Sequence, residues 1–320
     1  MRRLISISFI TVIFLTACGN SDSGKYREII VFHAGSLSVP FKQMKDEYEK
    51  ENPGIKILLE PAGSLICARK ITELKKPCDI MASADYFVIN ELLIPEYANW
   101  SIKFATNEIV IAYNDKSRYS SEINADNWIS ILSRNDVIYA RAEPDFDPCG
   151  YRTVLLFKLA EKIYPHPGLT EKMVLKNKDF IRPKEVDLIA LIESNTIDYM
   201  FQYKSVAVQH GLKYIELPDE INLSNPSMND IYNTVTLDVA GSTPGSKITV
   251  TGDYINYSLT IPEVAINRDE ALRFVNFILS SEGIAILRKN GQEPIVPFSS
   301  EQKDKLPVQL QEYLRENLLN

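Results

Sequence analysis

The chain has 320 residues and a formal net charge of −7, with acidic and basic residues interspersed along its length. No basic patch with interleaved aromatic residues is present, which argues against nucleic acid as a partner. The length is sufficient for two lobes, each with its own hydrophobic core.

The first 17 residues have the pattern of an export signal. A basic start at Met1–Arg3 precedes an apolar run that is too short to span a bilayer as a stable helix. The next letters, Leu15-Thr16-Ala17-Cys18, resemble the lipobox of bacterial lipoproteins, in which the cysteine becomes the lipid-carrying first residue. We predict a signal peptide at 1–17, a lipid anchor at Cys18 on the cell envelope and a tether at 18–25. An ordinary cleaved signal with an incidental cysteine is the alternative.

Two stretches share the letters Ala-Gly-Ser-Leu, at 34–37 and 62–65. Each follows an apolar, β-prone run and precedes an amphipathic segment, an order that predicts a strand, a tight turn and a helix start. The first amides of a helix lack intrahelical partners, so such turns suit an anion. Ser36 and Ser64 could face one ligand, although the motif is also simply a good turn between strand and helix.

Strands and helices alternate in the first part of the chain. This alternation predicts a mostly parallel sheet covered on both faces, with ligands beyond the carboxyl ends of its strands. We predict strands at 26–32, 55–60 and 78–82, and helices at 40–52, 64–75 and 88–93.

A second series of elements begins with a buried-type strand at 108–113, which is predicted to cross into a second lobe. A hairpin over 231–251 and a strand at 254–261 lead back, and helices at 267–279 and 301–320 follow. Within the second lobe we predict helices at 127–132, 150–164, 171–176 and 185–193, and strands at 137–140, 198–203 and 213–217. The predicted division is 26–110 with 257–320 for the first lobe and 111–256 for the second, which is typical of a hinged binding protein.

Three cysteines follow Cys18, and an exported compartment permits disulfides. Cys67 and Cys78 lie near opposite ends of one predicted helix, on the order of 15 Å apart at the helical rise. A disulfide needs Cα atoms within about 7 Å, so we expect no bridge between them. Cys149 is the third, and no CxxC pair or Cys/His cluster indicates a zinc site.

Two carboxylates stand at predicted helix starts. Asp147 is expected at an N-cap with Pro148 at the first helical position, and Glu185 lies in the first turn of another helix. An acidic residue there complements the helix dipole, so a purely structural role is the local alternative for both.

An enzyme is not expected. No Gly-x-Ser-x-Gly motif surrounds Ser36 or Ser64, and no Walker or dinucleotide loop is present. His33 lies three residues before Ser36, but proximity in sequence does not make a catalytic triad.

Several short motifs follow one another from Ile29 to Pro297: Val31–Pro40, Ala62–Ser64, Arg69–Leu74, Ala82–Tyr86, Ile94–Trp100, Asp147–Arg152, Tyr203–Ala207 with Gln209-His210, and Gly291–Ile295. In this order they resemble the tungstate/molybdate-binding proteins of ABC importers, the WtpA/ModA type in its archaeal-like branch. The resemblance implies an α/β, two-lobed type II periplasmic-binding-protein fold with mixed sheets and two hinge crossovers. It also implies tungstate or molybdate as the ligand without a cofactor, and the importer's permease and ATPase as partners; we expect a monomer.

The same resemblance implies a site between the lobes. It comprises Gly35, Ser36 and Ser64 of the first lobe and Asp147, Pro148, Cys149, Glu185 and Tyr203 of the second. In this branch the two carboxylates ligate the metal of the oxyanion directly and raise its coordination number from four to six. The family usually carries a longer insertion than the 177–181 segment here, which bears on the match at Glu185.

A protein of the same fold for sulfate or phosphate is the alternative. Carboxylates repel a dianion, so Asp147 and Glu185 would suit sulfate poorly. Molybdenum(VI) and tungsten(VI), in contrast, accept additional oxygen donors. The sequence does not rank tungstate against molybdate.

Overall fold

A computed structural model describes residues 26–315. The predicted signal peptide at 1–17, the predicted lipid anchor at Cys18 and the predicted tether at 18–25 lie outside the described residues. Within residues 26–315, no helix combines the length and the apolar character that crossing a membrane requires.

The strands of the structure fall into two mixed sheets and one separate hairpin. Their bounds are β1 (Arg27–His33), β2 (Ile55–Pro61), β3 (Ile80–Ser83), β4 (Ile102–Thr106), β5 (Ile109–Tyr113), β6 (Tyr139–Ala142), β7 (Ile181–Arg182), β8 (Tyr199–Tyr203), β9 (Lys213–Glu216), β10 (Thr236–Ala240), β11 (Lys247–Thr251), β12 (Asn256–Thr260) and β13 (Glu293–Ser299).

Helices cover the faces of these sheets. Their bounds are α1 (Ser38–Glu51), α2 (Ser64–Thr72), α3 (Tyr86–Leu92), α4 (Trp128–Leu132), α5 (Pro148–Ile163), α6 (Leu169–Leu175), α7 (Ile189–Glu193), α8 (Lys204–Gln209), α9 (Asp219–Asn222), α10 (Asn229–Tyr232), α11 (Arg268–Leu279), α12 (Ser281–Lys289) and α13 (Val308–Gln311). Short 3-10 turns lie at Gly35–Leu37, Lys178–Phe180, Glu185–Leu188, Pro226–Met228, Lys303–Lys305 and Glu312–Leu314.

The first sheet has the order β13-β4-β12-β3-β1-β2. β1 pairs in parallel with β2 and β3, whereas β12 is antiparallel to β3 and β4. The central strands β12 and β3 are buried along their whole length because helices cover both of their faces. We call the part of the chain built on this sheet the first lobe.

The second sheet has the order β7-β6-β8-β5-β9. β6 is parallel to β7 and β8, and β5 is antiparallel to β8 and β9. The part of the chain built on this sheet, together with the β10–β11 hairpin, is the second lobe.

The chain passes between the two sheets twice. β4 ends at Thr106 in the first sheet and β5 begins at Ile109 in the second; the return to the first sheet is made at β12, which begins at Asn256. The predicted divisions at 110/111 and 256/257 therefore each fall inside a strand. The assignment of residues to two domains at those positions stays a prediction.

Several sequence-based expectations are wrong. The expected strand over 231–239 begins only at Thr236, because Asn225 caps a 3-10 turn that continues into α10. The expected helix at 301–320 is represented, as far as residue 315, by short turns and α13. β13 was not predicted because it contains two prolines, which an edge strand tolerates. β4 was also missed.

The prediction that Cys67 and Cys78 form no bridge is confirmed. Both thiols are free and buried, as is that of Cys149. Burial raises the pKa of the Cys67 thiol to about 12, so it remains protonated at neutral pH.

Candidate functional site

The two Ala-Gly-Ser-Leu turns leave the first sheet side by side. β1 and β2 are adjacent and parallel, and their last residues, His33 and Pro61, are paired in register. The amide of Ala62 donates to the carbonyl of His33 at 3.0 Å, which ties the second turn to the end of β1. The first turn continues as a 3-10 turn into α1, and the second leads directly into α2. Two helix starts therefore share one edge of the first lobe.

Three predicted site residues share an edge of the second sheet in the same way. β6, β7 and β8 run parallel, and Ala142 at the end of β6 is paired with Arg182 at the end of β7. Asp147 and Glu185 lie beyond the ends of β6 and β7, and Tyr203 is the last residue of β8; all three side chains are buried. Parallel topology thus brings together residues that are distant in sequence.

The two edges face each other in close contact. A Cβ atom on Gly35 would lie 2.9 Å from both carboxylate oxygens of Glu185, which belongs to the other lobe. A Cβ atom on Gly63 would lie 2.2 Å from the carbonyl oxygen of Phe146. Glycine is required at Gly63, because the backbone of the second lobe occupies the space of a side chain, whereas at Gly35 that space is taken by the end of the Glu185 side chain.

Asp147 has the predicted N-cap position of α5. Its Oδ1 atom accepts a hydrogen bond from the Cys149 amide at 2.8 Å, and its Oδ2 atom accepts one from the Glu185 amide at 3.4 Å. Burial and the neighbouring Glu185 carboxylate raise the pKa of Asp147 well above its ordinary range. The cap is therefore also half of a buried carboxyl pair.

Glu185 is 1% exposed, and neither of its carboxylate oxygens has a hydrogen-bond partner within the described residues. Its backbone is held firmly, because the side-chain amide of Gln202 donates to the Glu185 carbonyl at 2.8 Å. An unpartnered buried carboxylate is costly. A structural role at a helix start does not explain this burial, since the side chain points at Gly35 rather than at solvent.

The serine hydroxyls of the first lobe are both oriented by an incoming hydrogen bond. Tyr257 donates to Ser36 Oγ at 2.9 Å, and the backbone amide of Ala84 donates to Ser64 Oγ at 3.1 Å. A hydroxyl that accepts a bond keeps its own hydrogen to donate. Ser64 is the first residue of α2 and makes no capping bond, because Gly63 has the cap position.

Tyr203 lies at the end of β8 with its hydroxyl buried and unpartnered within the described part of the chain. Its ring centroid is 5.8 Å from that of Tyr257. Burial raises the pKa of the Tyr203 hydroxyl, so it is a neutral donor rather than an anion.

Pro148 and Cys149 follow Asp147 as the first two residues of α5. Pro148 begins α5 and has no amide hydrogen to offer. The Cys149 amide is already used by Asp147, and its sulfur lies 3.9 Å from the carbonyl oxygen of Phe201 in the second lobe. Neither side chain therefore adds a donor to the site.

Sequence reasoning missed the residues near the crossings between the two sheets whose hydrogen bonds fix the position of the first turn. Asn107 donates to the Tyr257 hydroxyl at 3.1 Å, and Tyr257 in turn donates to Ser36. Gln292 donates to the Ser36 carbonyl at 2.9 Å. Gln292 belongs to a motif singled out above, but only the pairing of β12 and β4 brings Tyr257 and Asn107 to this point.

The assembled site has donors on one side and carboxylates on the other. The first lobe offers helix-start amides and the hydroxyls of Ser36 and Ser64, and the second offers Glu185 with Asp147. Within residues 26–315 no group of three or more His, Cys, Asp or Glu side chains could hold a metal ion. Two carboxylates are too few ligands for a resident metal ion. They could, however, add two oxygen ligands to the coordination shell of a metal centre that is bound as an oxyanion.

Comparison with known proteins places the chain among transport proteins. The family of bacterial extracellular solute-binding proteins matches residues 29–293. A solute-binding protein of Petrotoga mobilis is 45% identical over 319 residues, which cover 98% of both chains. The molybdate/tungstate-binding protein WtpA of Pyrococcus abyssi is 42% identical over 329 residues, which cover 93% of this chain and 94% of that protein.

Solved structures share the architecture at much lower identity. The periplasmic molybdate-binding protein of Azotobacter vinelandii superimposes with a TM-score of 0.62 at 14% identity, covering 82% of this chain and 98% of that one. At this identity the likeness shows the fold alone. It confirms the predicted two-lobed α/β fold with mixed sheets.

Proposed function

The chain belongs to the family of bacterial extracellular solute-binding proteins, and on that premise we propose that it captures tungstate or molybdate between its lobes. The bound oxyanion would be delivered to an ABC importer made of permease and ATPase subunits. The similarity to the molybdate/tungstate-binding protein of Pyrococcus abyssi supports this choice of ligand.

One observation carries the proposal. Glu185 is buried at the lobe interface with both carboxylate oxygens unpartnered, beside Asp147, whose own pKa is raised. For sulfate or phosphate such a pair is repulsive when both carboxyls are ionised. For tungsten(VI) or molybdenum(VI) it supplies two oxygen donors to the metal centre.

The other side of the site would hold the oxo groups. The hydroxyls of Ser36 and Ser64, the amides of Gly35 and Ser36 in the first turn and the first amides of α2 would donate hydrogen bonds, and the helix dipoles would add positive potential. Tyr203 would donate from the second lobe. Gly35 and Gly63 would let both turns approach without a side chain between the lobes.

The proposal includes transport without catalysis, a monomer and an anchor at Cys18 in the cell envelope. The family is extracellular, which agrees with export. The lipobox-like sequence at 15–18 supports the anchor. Mass spectrometry of the membrane-extracted protein tests it: a diacylglyceryl group on Cys18 is expected, and an unmodified chain that begins after residue 18 would contradict it.

Isothermal titration calorimetry tests the ligand. The protein from residue 26 onward should bind tungstate and molybdate much more tightly than sulfate or phosphate. A double variant, Asp147→Asn with Glu185→Gln, should lose most of the affinity for tungstate. If that variant bound tungstate as well as the natural protein, or if sulfate gave the tightest binding, the proposal would be wrong.

A further inference from the structure

A buried ion pair joins the two lobes away from the residues proposed to touch the oxyanion. Asp85 follows β3 in the first lobe, and Arg152 lies in α5 of the second. The guanidinium Nη2 atom of Arg152 donates to Asp85 Oδ2 at 2.6 Å. The Arg152 side chain is 2% exposed and the Asp85 side chain 1%. Among the described salt bridges, this is the one in which both partners are almost fully buried.

The carboxylate of Asp85 accepts hydrogen bonds from both lobes. Its Oδ1 atom accepts from the Phe87 amide as the N-cap of α3, within the first lobe. Its Oδ2 atom accepts from Arg152 and also from the hydroxyl of Tyr151 at 2.6 Å. The Oδ2 atom therefore accepts hydrogen bonds from the second lobe.

The pair is connected to the hinge and to the site. Arg152 Nη1 donates to the carbonyl of Asp253 at 2.6 Å, where the chain returns toward β12. The Tyr86 hydroxyl donates to the side chain of Asp253 at 2.8 Å. Arg152 lies on α5, the helix whose N-cap is Asp147. The contact between Arg152 and Asp85 therefore helps to orient α5 relative to the first lobe.

The energetic consequence depends on whether the lobes are together. When they are together, both charges are out of water, and removal of one leaves the other buried and uncompensated. When the lobes separate, water solvates both groups and their mutual contact no longer matters. Loss of one partner therefore penalises the closed arrangement far more than the open one.

From this geometry we propose that Asp85, Tyr151 and Arg152 are positioning residues that hold the lobes closed and set how long the oxyanion is retained. This rests on the proposed function. The three side chains do not contact the oxyanion; they hold α5, and with it Asp147, against the turns of the first lobe. Truncation of a buried, hydrogen-bonded charge pair across an interface acts mainly on the dissociation rate.

Asp85→Asn is the sharpest variant. Asparagine is as good an N-cap as aspartate, so α3 keeps its cap. The charge that faces Arg152 is lost, while size and shape are retained. Tyr151→Phe is a milder second variant, because it removes one hydrogen bond and leaves the ring and the ion pair in place.

Asp79→Asn is the matched control. Asp79 is also 2% exposed, but its carboxylate accepts from the amides of Ile30, Ile266 and Asn267, all in the first lobe. Its replacement should lower the stability of the protein with and without ligand alike. It should leave the release rate unchanged.

Tungstate release is measured by mixing the tungstate complex with excess molybdate and determining retained tungsten after timed desalting. We expect at least ~10-fold faster release for Asp85→Asn and about 5-fold for Tyr151→Phe, with an association rate and tungstate-free stability close to those of the natural protein. Release at the natural rate in both variants would overturn the proposal, as would an equal acceleration in Asp79→Asn. If the natural protein bound no tungstate at all, the proposed function would fail instead.

Discussion

The two sides of the cleft differ in chemistry, although each is built from the carboxyl ends of parallel strands. The first lobe presents neutral donors, Ser36 and Ser64, whose hydroxyls are each oriented by one accepted bond. The second lobe presents carboxylates, Asp147 and Glu185, buried against each other. An oxyanion has lone pairs at its edge and an electron-poor centre, so only a ligand whose centre accepts donors satisfies both sides.

The difference is sharpest at Glu185. We expect Glu185→Gln to lower tungstate affinity by at least ~100-fold, since even groups around a metal's direct ligands are worth 10–100-fold. Asp187→Asn, in the same 3-10 turn but with a 37% exposed side chain, should change nothing. Calorimetry measures both. If the two variants bound tungstate with equal affinity, Glu185 would not be a ligand-binding residue.

The closeness of the two sides can be tested through the glycines. A methyl group at Gly63 would meet the backbone of Phe146, which cannot rotate away, whereas at Gly35 it would meet the movable end of Glu185. We expect Gly63→Ala to weaken tungstate binding by ~10-fold or more and Gly35→Ala by less. Gly54→Ala is the control, because its Cβ would have no atom within 4 Å. Tight binding by Gly63→Ala would show that the lobes do not meet there when tungstate binds.

Two tyrosines separate ligand contact from support. Tyr257→Phe removes the donor to Ser36, so both stability and tungstate affinity should fall, each by about 1 kcal/mol. Tyr203→Phe removes a buried hydroxyl without a described partner, so it should raise the stability of the tungstate-free protein while lowering tungstate affinity by about 5-fold. Thermal denaturation and calorimetry measure the two effects. The same sign of change in both variants would contradict this assignment.

The smallest effect concerns pH and the stability of the protein without ligand. Burial and the Glu185 carboxylate raise the pKa of Asp147 in the folded protein. Protonation of Asp147 therefore stabilises the folded state at low pH, and this stabilisation is lost as pH rises through the raised pKa. Stability should therefore fall between about pH 4, the ordinary range of an aspartate, and neutrality.

Asp147→Asn removes that titration and keeps the N-cap. It should be about 0.5–2 kcal/mol more stable than the natural protein at pH 7.5 in oxyanion-free buffer, with the gain vanishing near pH 4. Urea denaturation at the two pH values measures it. A gain of the same size at both would mean that the carboxyl pair is not the cause.

Local sequence was enough for much of the fold. The Asp147-Pro148 start of α5 and the two strand–turn–helix units follow from capping and periodicity. β13 did not, because its pairing with β4 forms it, and α10 was missed although Asn225 caps the 3-10 turn that leads into it. At the site, local reasoning placed Asp147 and Glu185 at helix starts, but it gave no reason for their burial together. The contacts Tyr257–Ser36 and Asp85–Arg152 join residues far apart in the chain, and no local pattern signals them.

The coordination number of bound tungsten tests the central claim most directly. X-ray absorption spectroscopy of the tungstate complex distinguishes four oxygen neighbours from six. The account predicts six in the natural protein and four in the Asp147→Asn, Glu185→Gln double variant, at a tungstate concentration that saturates it. Four oxygen neighbours in the natural protein would contradict direct ligation by the two carboxylates.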